Sequence, residues 1–83
     1  MNFRTRLLSI LTMHMSCVKI FTLQQVYQVA EGPLSYHYPN NNTITSSIRH
    51  NLQKLEEEGY INFVDESGDK VLRSEGNGIY SWV

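Results

Sequence analysis

The stretch Asn40–Gly59, NNNTITSSIRHNLQKLEEEG, constrains the fold more than any other part of the chain. Ile44, Ile48, Leu52 and Leu55 recur at spacings of four, four and three. At 3.6 residues per turn these positions make one stripe along a helix. Pro39 and the run Asn40, Asn41 and Asn42 supply turn and N-cap chemistry, because an Asn side chain accepts from free N–H groups of a first helical turn. Gly59 marks the stop, since glycine takes the left-handed conformation that ends a helix without a Cβ penalty. The opposite face carries Thr43, Ser46, Ser47, His50, Gln53 and Lys54, with Arg49 at its edge. Such a helix buries one side in a small core and offers the other to an acceptor-rich partner.

The period changes directly after Gly59. Ile61 and Phe63 point one way, and Tyr60, Asn62 and Val64 the other, as in a strand. A second short strand is expected over Ile79–Val83, and DESGDKVLRSEGNG between them is rich in turn residues and charge. Helix, glycine, strand, turn-rich loop and strand is the order of a recognition helix followed by a β-hairpin wing. The fold class expected is therefore α+β, a winged helix-turn-helix with three helices and a C-terminal hairpin.

The first helix is expected over Asn2 to about Ser16, with Asn2 as N-cap and Phe3, Leu7, Ile10, Leu11 and Met15 largely on one face. Leu8 and Met13 broaden that face, which suits burial of a second side or a homodimer contact. Val18, Ile20 and Phe21 favour a short third strand. Thr22 with Gln25 three residues on forms a capping box for the second helix, and Glu31-Gly32-Pro33 is read as its end. Leu34–Tyr38 is then either one helical turn or an ordered loop tied down by Tyr36 and Tyr38.

A chain of 83 residues is expected to form one domain. A domain of that size buries only roughly 60% of the surface its unfolded chain exposes. No apolar run approaches the ~18 residues of a membrane span, and the first residues lack signal-peptide features. The lone Cys17 excludes an internal disulfide and fits a reducing cytoplasm. Residues 1–30 sum to +3, 31–55 to +1 and 56–83 to −5, giving the net charge of −1. From Gly32 to Leu55 there is no acid, so the central helix and the loop entering it do not repel a phosphate backbone.

No enzyme pattern is present. His14, His37, His50 and Cys17 lack metal-ligand spacing, and no nucleophile motif or phosphate loop occurs, so no cofactor or metal is expected. The central helix instead suits the major groove of B-form DNA. Asn41, Asn42, Thr43, Thr45, Ser46, Ser47, His50 and Gln53 supply hydrogen-bonding groups, and Arg49, Lys54, Lys70 and Arg73 can neutralise phosphates.

FTLQQVY (Phe21–Tyr27), YPNNNTITSSIRHNLQKLEEEGYINF (Tyr38–Phe63) and GNGIYS (Gly76–Ser81) resemble the C-terminal winged-helix domain of the Dam-replacing, methyl-directed restriction endonucleases. The resemblance covers about residues 19–83, with an insertion between Val64 and Gly76. In that family the domain binds duplex DNA and helps read a methylated adenine in a short palindrome, while a separate N-terminal domain cuts. The resemblance thus implies binding of double-stranded DNA without cleavage. Together with the residues, it leads to the expectation of a non-enzymatic DNA-binding protein with a recognition helix over about 42–58, acting as a regulator of transcription, a decoy for a particular site or a reader of adenine-methylated sites. The alternative from the residues themselves is a protein-interaction module, whose acidic helix end (Glu56, Glu57, Glu58) and acidic wing dock on a nucleic-acid-processing partner.

Overall fold

The computed structural model describes residues 1–83. In chain order it contains α1 (Phe3–Met15), β1 (Ile20–Thr22), α2 (Leu23–His37), α3 (Ile44–Glu57), β2 (Ile61–Phe63), a single 3₁₀ turn (Arg73–Glu75) and β3 (Ile79–Trp82). The stripe Ile44, Ile48, Leu52 and Leu55 is buried along its whole length. Leu7, Leu11 and Met15 of α1 and Val26, Ala30 and Leu34 of α2 join it in one apolar cluster. Both sets are spaced by four, so each helix gives the core one line of side chains.

The sheet order is β1-β3-β2, with both pairings antiparallel. Phe21, Tyr80 and Phe63 stand in register across it and face the helices. Tyr80 lies 5.8 Å by ring centroids from each of the other two. Trp82 packs 5.7 Å from Phe21, and its indole Nε1 donates to the Met15 carbonyl at 2.9 Å, tying the last strand to the end of α1. The short strand suggested by Val18, Ile20 and Phe21 is therefore real, but it is an edge strand beginning at Ile20. With α2 and α3 joined by a turn and followed by the β2–β3 hairpin, the architecture is a winged helix-turn-helix.

Caps explain several boundaries. Asn2 accepts from the Thr5 N–H at 2.8 Å. The Thr22 hydroxyl accepts from the Gln25 N–H at 3.2 Å, and Gln25 Oε1 accepts from the Thr22 N–H at 2.9 Å, which completes the capping box. Gly59 follows α3 with φ +88°, a conformation costly for any residue carrying a Cβ.

Three local expectations need correction. The helix α2 does not stop at Glu31-Gly32-Pro33 but continues through Pro33 to His37. Burying Leu34 completely is worth about 1.5–3 kcal/mol, comparable with the ~3 kcal/mol that proline costs inside a helix. Tyr36, expected to secure this region, is 83% exposed; Tyr38 alone packs inward, 5.3 Å from Phe3. Met13 is 74% exposed and does not broaden the buried face of α1.

The wing folds back on the sheet. Val64 points away from Ile61 and Phe63 as its parity requires, yet it is buried. The chain turns at Asp65–Asp69, where Asp65 Oδ1 accepts from the N–H groups of Ser67 and Asp69 at 2.9 Å each. It then returns beside β2 through a Val64–Lys70 bridge and a Val71 N–H donating to the Phe63 carbonyl at 2.9 Å. A Cβ on Gly68 would come within 3.0 Å of Ile20 Cδ1, so the turn lies close over the outer side of the sheet. The excursion covers the outer edge of β2, which an exposed strand edge otherwise leaves open to mispairing.

Candidate nucleic-acid interface

Successive residues of an α-helix turn by about 100°, and this sorts the polar side of α3 into three lines. Ser46, His50 and Gln53 form the line most directly opposed to the buried stripe, and Glu57 lies at its C-terminal end. Thr45, Arg49 and Glu56 lie on the flank facing α2 and the wing. Ser47, Asn51, Lys54 and Glu58 lie on the flank facing α1, where Glu58 Oε1 pairs with Arg4 Nε at 3.3 Å. Lys54 and Arg49 are five positions apart, hence about 140° apart around the axis, and do not act as one basic patch.

At the start of α3 several predicted contacts are occupied with one another. Asn41 Oδ1 accepts from the Thr43 N–H at 2.8 Å and from the Thr43 hydroxyl at 3.2 Å. Asn41 Nδ2 donates to Ser47 Oγ at 3.1 Å. The N-cap is Thr43, whose own side chain makes no capping bond, so Asn41 orders the turn rather than the asparagine run capping the helix directly. Asn42, Thr45 and Ser46 remain exposed.

The charged residues divide in the same way. Arg73 Nη2 lies 3.7 Å from Glu56 Oε1 and 3.5 Å from Glu57 Oε1, so it joins the wing to the end of α3. Lys54 Nζ lies 4.0 Å from Glu57 Oε2. With Arg4 on Glu58, every member of the Glu56-Glu57-Glu58 run has a cationic neighbour, which offsets its unfavourable position at the negative end of the helix dipole. Each exposed pair adds little stability, roughly 0–1 kcal/mol. Arg49 has no carboxylate within salt-bridge distance, and neither does Lys70. Arg6 is also occupied: its guanidinium sits 5.9 Å above the Tyr38 ring and reaches His37 Nε2 at 3.4 Å.

Arg49 opens onto a cleft of about 670 Å³ between α3, the first turn of α2 and the segment Gly76-Asn77-Gly78. Its position follows from local structure. The capping box sets the start of α2, the Leu23 N–H donates to the Gly78 carbonyl at 2.8 Å, and Gly78 has φ +73°. A Cβ at Gly78 would press to 3.3 Å on Leu23, so the close approach of hairpin and helix depends on glycine there. Gln24, Gln53, Asn77, Arg49 and Arg73 provide the polar lining, and no lining residue is acidic.

Two tyrosines lie near this guanidinium. Burial raises the Tyr80 phenol above its ordinary value, with Arg49 acting in the opposite direction. Burial likewise raises Tyr27, again opposed by Arg49, and the Tyr27 hydroxyl donates to the Thr45 carbonyl at 3.5 Å. Both therefore remain neutral near pH 7 and add no negative charge to the cleft.

Gln24, Asn77 and Tyr27 were not among the residues expected at the site. Gln24 was traceable, because a capping box at Thr22 and Gln25 leaves residue 24 on the exposed first turn. Asn77 was not, because its place depends on the non-local contact of Gly78 with Leu23. No group of His, Cys, Asp and Glu is arranged to hold a metal ion, and no helix is long and apolar enough to cross a membrane.

Comparison with curated proteins and with solved structures gives no match. A family model described as the Dam-replacing HTH domain matches residues 2–70. The match takes in α1, which the resemblance beginning near residue 19 left out, and it stops before β3, so GNGIYS lies beyond it. The three helices, β2 and the wing turn fall inside the matched range, and the chain belongs to the Dam-replacing HTH domain family.

Proposed function

We propose that this domain binds double-stranded DNA without acting on it chemically, inserting the N-terminal part of α3 into the major groove. One observation carries the reading. In a chain of net charge −1, the outer line of α3 up to Gln53 and the adjoining cleft contain donors, amides and arginines and no carboxylate. Ser46, His50 and Gln53 are the groups for base edges, with Asn42 and Thr45 at the helix entrance. Arg49 is the principal phosphate contact, with Lys70 as a second exposed cation in the wing. Family membership supports this reading, and the finer roles of transcriptional regulator or reader of adenine-methylated sites belong to it as proposals.

The rival reading, an acidic surface docking on a protein, is weakened by the pairing of Glu56, Glu57 and Glu58 with cations of the same chain. A carboxylate already facing Arg4 or Arg73 offers less to a basic partner. An electrophoretic binding assay with random, GATC and adenine-methylated GATC duplexes tests the proposal. Retardation of duplex at low salt is expected, and preference for the methylated duplex identifies a methylation reader. No retardation of any duplex overturns it.

A further inference from the structure

We propose that the cleft between α3, the first turn of α2 and Gly76-Asn77-Gly78 seats a phosphodiester of one DNA strand, with Gln24 and Asn77 joining Arg49 as its contacts. This rests on the DNA-binding reading and assigns two residues outside the central helix and its basic groups. Arg49 is turned about 40° from Gln53 and about 60° from Ser46, toward α2 and the wing. A group held there meets the strand bordering the groove that α3 occupies, not the floor of that groove.

Arg49 presents a fork of N–H donors suited to phosphate oxygens and has no carboxylate competing for it. Gln24, on the first turn of α2, and Asn77, on the hairpin, are exposed side chains lining the same cleft, each with an NH₂ that donates. Neither side chain is engaged in a hydrogen bond elsewhere in the protein. The neighbouring aromatic hydroxyls are neutral at physiological pH, so an anion meets no repulsion from the walls.

Seven of the eight acids lie in residues 56–83, the segment that also supplies one cleft wall, yet none lines the cleft. The nearby Glu56 and Glu57 are turned onto Arg73 instead. Arg73 lines the cleft while holding those two acids, and so it is not a free phosphate ligand.

The test places a like charge in the cleft with little change of shape. Gln24→Glu and Asn77→Asp are compared with Ser9→Glu, which adds the same charge to the exposed side of α1. Duplex affinity is measured by fluorescence anisotropy, and thermal unfolding confirms that each variant is folded. Each cleft variant is expected to weaken binding to every duplex by at least about tenfold while leaving the order of preference among sequences unchanged. Ser9→Glu is expected to change affinity less than about twofold. Duplexes carrying a single neutral methylphosphonate give a second readout: at one position neutralisation should weaken the wild type and leave Asn77→Asp little affected. If wild type binds DNA and the cleft variants match Ser9→Glu, the cleft assignment is wrong and the DNA-binding reading stands. If wild type binds no duplex, both fall.

Discussion

Removing the carboxylates of Glu56 and Glu57 together should make DNA binding more sensitive to salt, whereas a change in affinity without new phosphate contacts would leave the salt slope unchanged. Four cations lie on α3 and the wing, but Arg73 is shared between Glu56 and Glu57, and Lys54 pairs with Glu57. Of the four, only Arg49 and Lys70 have no carboxylate within salt-bridge distance, so on the DNA-binding proposal these two carry the counterion release. At a slope of about −0.9 in log K per phosphate contact, the wild type should show about −1.8 per monomer. A fourfold rise in salt then weakens binding about 12-fold. In Glu56→Gln/Glu57→Gln, Arg73 and Lys54 are released, the slope approaches −3.6, and the same rise costs about 150-fold. Because the lost ion pairs are exposed, each is worth at most about 1 kcal/mol and the variant should remain folded. Anisotropy titrations between ~50 and ~200 mM salt measure both slopes. Equal slopes for the two proteins, or a wild-type slope already near −3.6, would refute the pairing of these cations as the limit on DNA contacts.

Two further outcomes follow from the core. Leu52→Ala removes a fully buried side chain from the centre of α3 and should destabilise by about 2–5 kcal/mol, whereas Ser46→Ala should cost less than about 0.5 kcal/mol; equal losses in denaturant titrations would invalidate the assignment of faces. Tyr80 has its folded-state pKa raised by burial, so its contribution to stability is complete below the ordinary value of 10.0 and is lost as pH rises through the higher folded value. Alkaline unfolding should therefore shift to higher pH in Tyr80→Phe, and an unchanged alkaline limb would contradict that origin.

What the sequence revealed depended on how local the determining interaction was. The stripe of α3, the capping box at Thr22 and the glycine stop at Gly59 each lie within a few residues, and all appear in the structure as read. Pro33 misled because its local effect, helix termination, was offset by burial of Leu34 against residues distant in sequence. The wing was opaque for the same reason: Val64 is covered by a turn whose path over the sheet depends on Gly68 meeting Ile20. At the candidate site, the polar line Ser46, His50 and Gln53 was readable from periodicity. Which cations were free was not, since Arg73 and Arg4 find their acids across the fold.

The most direct measurement for the whole account is a titration of isotope-labelled protein with duplex DNA, followed by amide and side-chain NMR shifts. A chain of 83 residues suits it. The largest changes are expected on Ser46, Arg49, His50 and Gln53 and on the cleft residues Gln24 and Asn77, while the exposed side of α1 around Ser9 and Met13 stays unperturbed. Changes concentrated on α1 or on the Asp65–Asp69 turn, with α3 silent, would contradict it.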